Sequence, residues 1–163
     1  FSTLHTPDAQ STILRVMAMF PPEEQHVVRL RLAESLHAVI SQRLLPRASG
    51  SGRVVAAEVM LVTAAIRDLI AEGRVGEIRD FIAEGRSQYG MQTFDQHLEM
   101  LVRAGEVTYE VAFAAATRPS DFALRFKMLQ RGVAAPAAPV AEAPAGVGPG
   151  LQQAGEFDFL NGR

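Results

Sequence analysis

No cysteine occurs anywhere in the 163 residues. That removes disulfides, cysteine-based zinc sites and cysteine nucleophiles together, and it permits a reducing cytoplasm. No apolar run approaches the roughly 20 residues needed to span a bilayer, so the chain reads as not transmembrane. Neither sign of charge dominates: 16 Lys and Arg against 18 Asp and Glu leave a net charge of −2, and no basic footprint points to nucleic acid. Several chemical signatures are also missing. There is no phosphate-gripping GxxxxGK[ST] loop, no GxGxxG after a strand, no GxSxG elbow, and no HExxH or other metal spacing among the four histidines. No metal site is therefore expected. The first residue is Phe1 rather than methionine, which reads as a fragment that has lost its upstream part.

What is present suits one compact domain and not two large ones, since 48% of the residues are hydrophobic. From Val133 onward, "VAAPAAPVAEAPAGVGPGLQQAG" holds four of the nine prolines and few side chains able to pack, so residues 132–163 are expected to be a disordered Ala/Pro/Gly-rich tail. Its end, "EFDFLNGR", reads as a frayed terminus or a short docking motif that folds on binding.

Within the rest, Phe1 to Leu4 read as the end of a buried strand. Thr6, Pro7 and Asp8 read as the cap, first position and first turn of a helix. Ile13, Met17 and Phe20 share one face of that helix, which stops before Pro21-Pro22. A second helix is expected from about Glu23, with Val28, Leu32, Leu36 and Val39 or Ile40 on its apolar stripe. "VISQRLLPR" and "RVVAAEVMLV" read as two strands joined by the turn "ASGSG", with runs so continuously apolar that both belong in a core. After Thr63 about five short helices are expected. Thr63 caps the first and Gly73 stops it, with Ile66, Leu69 and Ile70 inward. Ile78, Phe81 and Ile82 mark the next, and Thr93 with Gln96 forms a capping box before Phe94, Leu98 and Leu101.

Few residues stand out chemically. "SGSGR" at Ser49 to Arg53 is a hairpin turn rather than a phosphate loop. His26, His37 and His97 fall in helices, as solvated or edge-packed rings. His5 differs, because it lies at a strand-to-helix junction beside the free N–H groups of a helix N-terminus, a natural anion site. Arg67, Asp68 and Glu72 form the polar side of a short helix, with weak pairing worth under about 1 kcal/mol.

Taken in order, these stretches resemble a known family. "STLHT" is similar to the histidine box of the type II/IV secretion ATPase superfamily. "AAIRDLI" is similar to the AIRNLI motif of its pilus-retraction branch, the twitching-motility (PilT-type) ATPases. "ESLHAVISQRLLPR", "GRVVAAEVM" and "GMQTFDQHLEMLVRAGEVT" follow in the order that family shows. The resemblance runs from Phe1 to about Leu129, and the absence of a tetracysteine subdomain agrees with the retraction branch.

The resemblance implies an α/β fold: the C-terminal part of a RecA-like P-loop ATPase core (residues 1–62), then a helical C-terminal subdomain (63–131). It implies an ATPase, hexameric, that powers type IV pilus retraction and twitching motility against an inner-membrane platform protein at the cytoplasmic face of that membrane. ATP and Mg²⁺ would be bound mainly by upstream residues that this chain lacks, so the fragment alone is expected to be inactive. His5 would face the γ-phosphate, with Thr6 in support. Ala65, Ile66, Arg67, Leu69 and Ile70 match the retraction motif, and Asp68 stands where the family has asparagine. The alternative is a non-catalytic helical module that regulates a pilus or type II secretion system.

Overall fold

A computed structural model describes residues 1–130; the expected tail at 132–163 and its "EFDFLNGR" end lie outside the described residues. The chain opens without regular structure, and Phe1 is fully exposed. The expected buried strand at Phe1 to Leu4 is therefore not found. An apolar run becomes a strand only where a neighbour supplies the other half of the hydrogen-bond ladder, and no neighbour lies there among the described residues.

Helix α1 spans Ala9–Met17, two residues later than expected. Its cap is Asp8, whose carboxylate accepts the Ser11 N–H at 2.7 Å, rather than Thr6. Ala9 and Ile13 are buried one turn apart, while Phe20 lies beyond the helix and is exposed. Helix α2 spans Gln25–Ser35 and ends at Leu36, where the backbone becomes extended. Val39 and Ile40 belong not to its stripe but to strand β1.

Strand β1 (Ala38–Pro46) and strand β2 (Arg53–Leu61) form an antiparallel hairpin, registered from Ala38 opposite Leu61 to Pro46 opposite Arg53. Gly50 and Gly52 take φ of +77° and +78° in the turn, a left-handed conformation that side chains with a Cβ rarely adopt. The expectation that both strands are buried on both faces is overturned. Their side chains alternate: Ser41, Leu45, Ala56, Glu58 and Met60 are buried on one face, whereas Ile40, Leu44, Val55 and Leu61 are exposed on the other, Ile40 to 71%. The described helices that cover the sheet do so from one side, so the outward apolar residues have nothing among the described residues to pack on. The outer edge of β2 is closed: Val59 and Gln92 exchange backbone hydrogen bonds (2.8 and 3.0 Å), and Ala57 N–H donates to the His97 ring at 2.9 Å.

The remaining helices are α3 (Ala64–Glu72), α4 (Ile78–Glu84, entered through a 3₁₀ turn at Val75–Glu77), α5 (Arg86–Tyr89), α6 (Phe94–Arg103), α7 (Tyr109–Ala115) and α8 (Pro119–Gln130). Thr63 caps α3 through the Ile66 N–H, and Gly73 ends it at φ +79°. Thr93 and Gln96 form the full capping box at α6. The second "AEG" ending behaves differently from the first. Gly85 has φ −71° and is buried, and a Cβ there would clash with the Met91 methyl. It is a packing glycine, and the chain continues into the single turn of α5.

Two apolar clusters hold the molecule. The first joins Ala9 and Ile13 of α1, Ala33 of α2 and Met60 of β2 to Ile66, Leu69 and Ile70 of α3 and Ile78 and Ile82 of α4. The second joins Leu45 and Ala56 of the sheet to Phe94, Leu98 and Leu101 of α6, Ala112 of α7 and Phe122 of α8. At about 1.5–3 kcal/mol for each large aliphatic or aromatic side chain removed from water, these clusters outweigh any surface pairing. Both draw residues from either side of Val62.

Candidate functional site

His5 lies in the irregular segment before α1, exposed, and no hydrogen bond to its ring is found among the described residues. Around it the backbone is tied down. Thr6 Oγ1 and Thr12 Oγ1 are 2.7 Å apart, and the Thr12 hydroxyl also donates to the Asp8 carbonyl at 2.9 Å. Arg43, from the covered face of β1, donates weakly to the Pro7 carbonyl (3.4 Å) and strongly to the Ala115 carbonyl (2.7 Å), and its guanidinium lies 4.0 Å over the Phe94 ring. Glu58, from the same face of β2, accepts the Ala9 N–H at 2.9 Å.

These contacts correct the expected anion site. Two leading amides of α1 are already taken by carboxylates, Ser11 N–H by Asp8 and Ala9 N–H by Glu58. With two acidic groups at this helix end and two of its leading amides occupied, a phosphate would meet repulsion and fewer donors than the sequence suggests.

Glu58 is 5% exposed. Burial pushes its carboxyl above the usual range, and the nearby Asp8 charge adds to this; the Ala9 amide and the Arg79 charge pull the other way. It lines a cleft of about 260 Å³ with Asp8, Gln10, Arg79, Thr117 and Arg118. Arg79 in turn pairs with Asp95 of α6, both largely covered (18% and 12% of their side chains exposed). Asp95 also accepts the Thr117 and Arg118 amides, at 2.7 and 3.1 Å, just ahead of α8. Glu58 and Arg79 share this cleft without a direct hydrogen bond or ion pair among the described residues, so the Asp95 contacts form a separate polar group beside it.

The retraction-motif residues divide by side. Ile66, Leu69 and Ile70 are buried in the first cluster, whereas Ala65 and Arg67 face outward with Asp68. Arg67 makes no ion pair among the described residues; Glu72 pairs instead with Arg74 at 2.9 Å. His37 is not helical but lies between α2 and β1, with Nδ1 2.8 Å from the Ser35 carbonyl. His26 is exposed on α2, and His97 holds the edge of β2. Arg43 and Glu58 carry no local sequence signal for these roles, because their partners lie 36 or more residues away for Arg43 and 49 for Glu58; the contact of His97 with Ala57, 40 residues away, is likewise invisible locally. One signal was visible: a lone acid at Glu58 in an otherwise apolar strand.

No protein-family model matches the chain. It is 47% identical over 122 residues to the type IV pilus retraction ATPase PilT of Pseudomonas aeruginosa, covering 75% of this chain and 35% of that protein. It is 44% identical over 112 residues to a twitching motility protein of Neisseria gonorrhoeae, covering 69% of this chain and 30% of that protein. The crystal structure of a pilus retraction motor, PilT with bound ADP, superposes with a TM-score of 0.63 at 37% identity, over 72% of this chain and 32% of that one. The chain thus spans about a third of the length of the relatives it matches.

Proposed function

We propose, from a chain that corresponds in sequence and fold to the C-terminal part of the PilT-type pilus retraction ATPases, that the full-length protein is an ATP-hydrolysing motor of type IV pilus retraction. It works as a homo-hexamer on an inner-membrane platform protein, from the cytoplasmic face. No helix among the described residues is long and apolar enough to cross a membrane. No three acidic or histidine side chains among the described residues converge on an ion position. By the resemblance to these ATPases, ATP and Mg²⁺ are assigned mainly to the part of the full-length protein outside this chain.

The observation that carries the reading is the state of His5: an exposed imidazole without a partner among the described residues, on a backbone fastened immediately behind it by Thr6, Arg43 and Glu58. A donor held this way can meet the terminal phosphate of ATP at little cost in lost freedom. Thr6 supports it through Thr12, and α1 is the first element to feel the contact. Ala65, Ile66, Arg67, Leu69 and Ile70 serve the mechanical output, the buried three by fixing α3 and the outward two by meeting a partner surface.

In the full-length protein, His5→Ala is expected to lower the ATPase kcat by about 10²-fold while hexamer assembly, followed by size-exclusion chromatography with light scattering, is unchanged. Normal turnover in that variant would remove the site assignment. A wild-type protein that hydrolyses no ATP would favour the non-catalytic regulatory module.

A further inference from the structure

Glu58 is an expensive side chain to place where it is. It sits mid-strand on the covered face of β2, 5% exposed, opposite Ser41, which is also buried. Burying a carboxylate is costly unless something specific returns the energy. Helix capping does not account for it, since Asp8 already caps α1 from the usual position. What Glu58 adds is length and a rigid base. Its strand is fixed on the outer edge by His97 at Ala57 and by Gln92 at Val59, the two residues flanking it. From that base its carboxylate reaches Ala9, the first and fully buried residue of α1. Arg43, two register positions away on the same face of β1, reaches the carbonyl of Pro7. The two strands thus hold the backbone on either side of Asp8, directly behind His5.

We infer that Glu58 is a positioning residue for the ATPase reaction, setting through the Ala9 amide where the His5 segment stands relative to the sheet. The inference rests on the assignment of His5 given above. Reach matters here more than charge. A displacement of about 1 Å at a reacting group can cost about 100-fold in rate, and one methylene of Glu58 spans about that distance.

The test uses the full-length protein and three variants, with ATPase kcat, ADP affinity and hexamer size measured for each. Glu58→Asp keeps the charge and loses the reach; Glu58→Ala loses both; Glu58→Gln keeps the reach and an acceptor oxygen for Ala9. The expected result is a fall in kcat of about tenfold or more for Asp and Ala. ADP affinity should stay within about threefold and hexamers should remain, with Gln restoring most of the rate. An Asp variant at the wild-type rate overturns the inference, as does a Gln variant as slow as Ala, or ADP affinity falling in step with kcat. If Ala does not assemble, Asp and Gln decide by the same measurements. His5→Ala and wild type are run alongside: full activity in His5→Ala, or none in the wild type, overturns the parent reading and this inference with it. A failure confined to the Glu58 variants overturns the inference alone.

Discussion

Glu58 gives the protein a pH response opposite in sign to that of most carboxylates. Burial holds its folded-state pKa above the ordinary value of 4.5. Between those two values the folded chain carries more protons than the unfolded one, so raising the pH through that window weakens folding. Below it the penalty vanishes, and above it the penalty is constant. Urea unfolding of wild type and Glu58→Gln at a series of pH values should show this slope in the wild type and lose it in the variant; parallel curves would refute it. Arg67 makes a second expectation at this scale. It is exposed and makes no ion pair among the described residues, so Arg67→Ala should leave the fold and at least part of ATP hydrolysis intact while abolishing pilus retraction, read by twitching motility. The sequence points to His5 by its place ahead of a helix start and to Arg67 by its place in the retraction-like motif. It could not single out Arg43 or Glu58 as holders of the His5 segment, because a long-range hydrogen bond leaves no local pattern.

Helices are joined here by a few directed polar contacts whose worth depends on burial. Asp95 binds three pieces at once: Arg79 of α4, its own α6, and the amides of Thr117 and Arg118 ahead of α8. Asp95→Ala strands a largely covered guanidinium and two amides, and should cost about 2–4 kcal/mol in denaturant unfolding. The ion pair of Arg47 with Glu106 is 41% exposed on both sides, and Glu106→Ala should cost no more than about 1 kcal/mol. Comparable losses from the two variants would contradict this ranking. The elements that sequence reading placed correctly were those with chemical punctuation at their ends. Thr63 to Gly73 and Thr93 to Gln96 are such cases. Where the punctuation was ambiguous the reading slipped: Thr6 and Asp8 both suit a cap, and only Asp8 is placed to reach the Ser11 amide.

Across the whole molecule the sheet leaves one apolar face without cover among the described residues, with Ile40, Leu44, Val55 and Leu61 exposed together. Strand β1 has β2 on one side and no second strand partner among the described residues. An open edge beside an exposed apolar face favours association between copies. Produced alone, this chain should therefore show concentration-dependent association in light scattering. Replacing Ile40 and Leu44 with lysine should reduce it while leaving the melting temperature within a few degrees, since neither side chain is buried. Association unchanged by that pair of substitutions would place the contact elsewhere.

Local chemistry sufficed to determine where the hairpin turns, the caps of α3 and α6, and which α3 side chains point inward, because each depends on residues within one or two turns of one another. The order of its motifs was likewise enough to indicate kinship with the retraction ATPases. Tertiary structure alone decided that the second "AEG" glycine, Gly85, makes room for Met91, that the strands are covered on one face, and that two carboxylates occupy leading amides of α1. Each of those outcomes turns on what a distant segment brings alongside, and a sequence records the residues but not which of them meet.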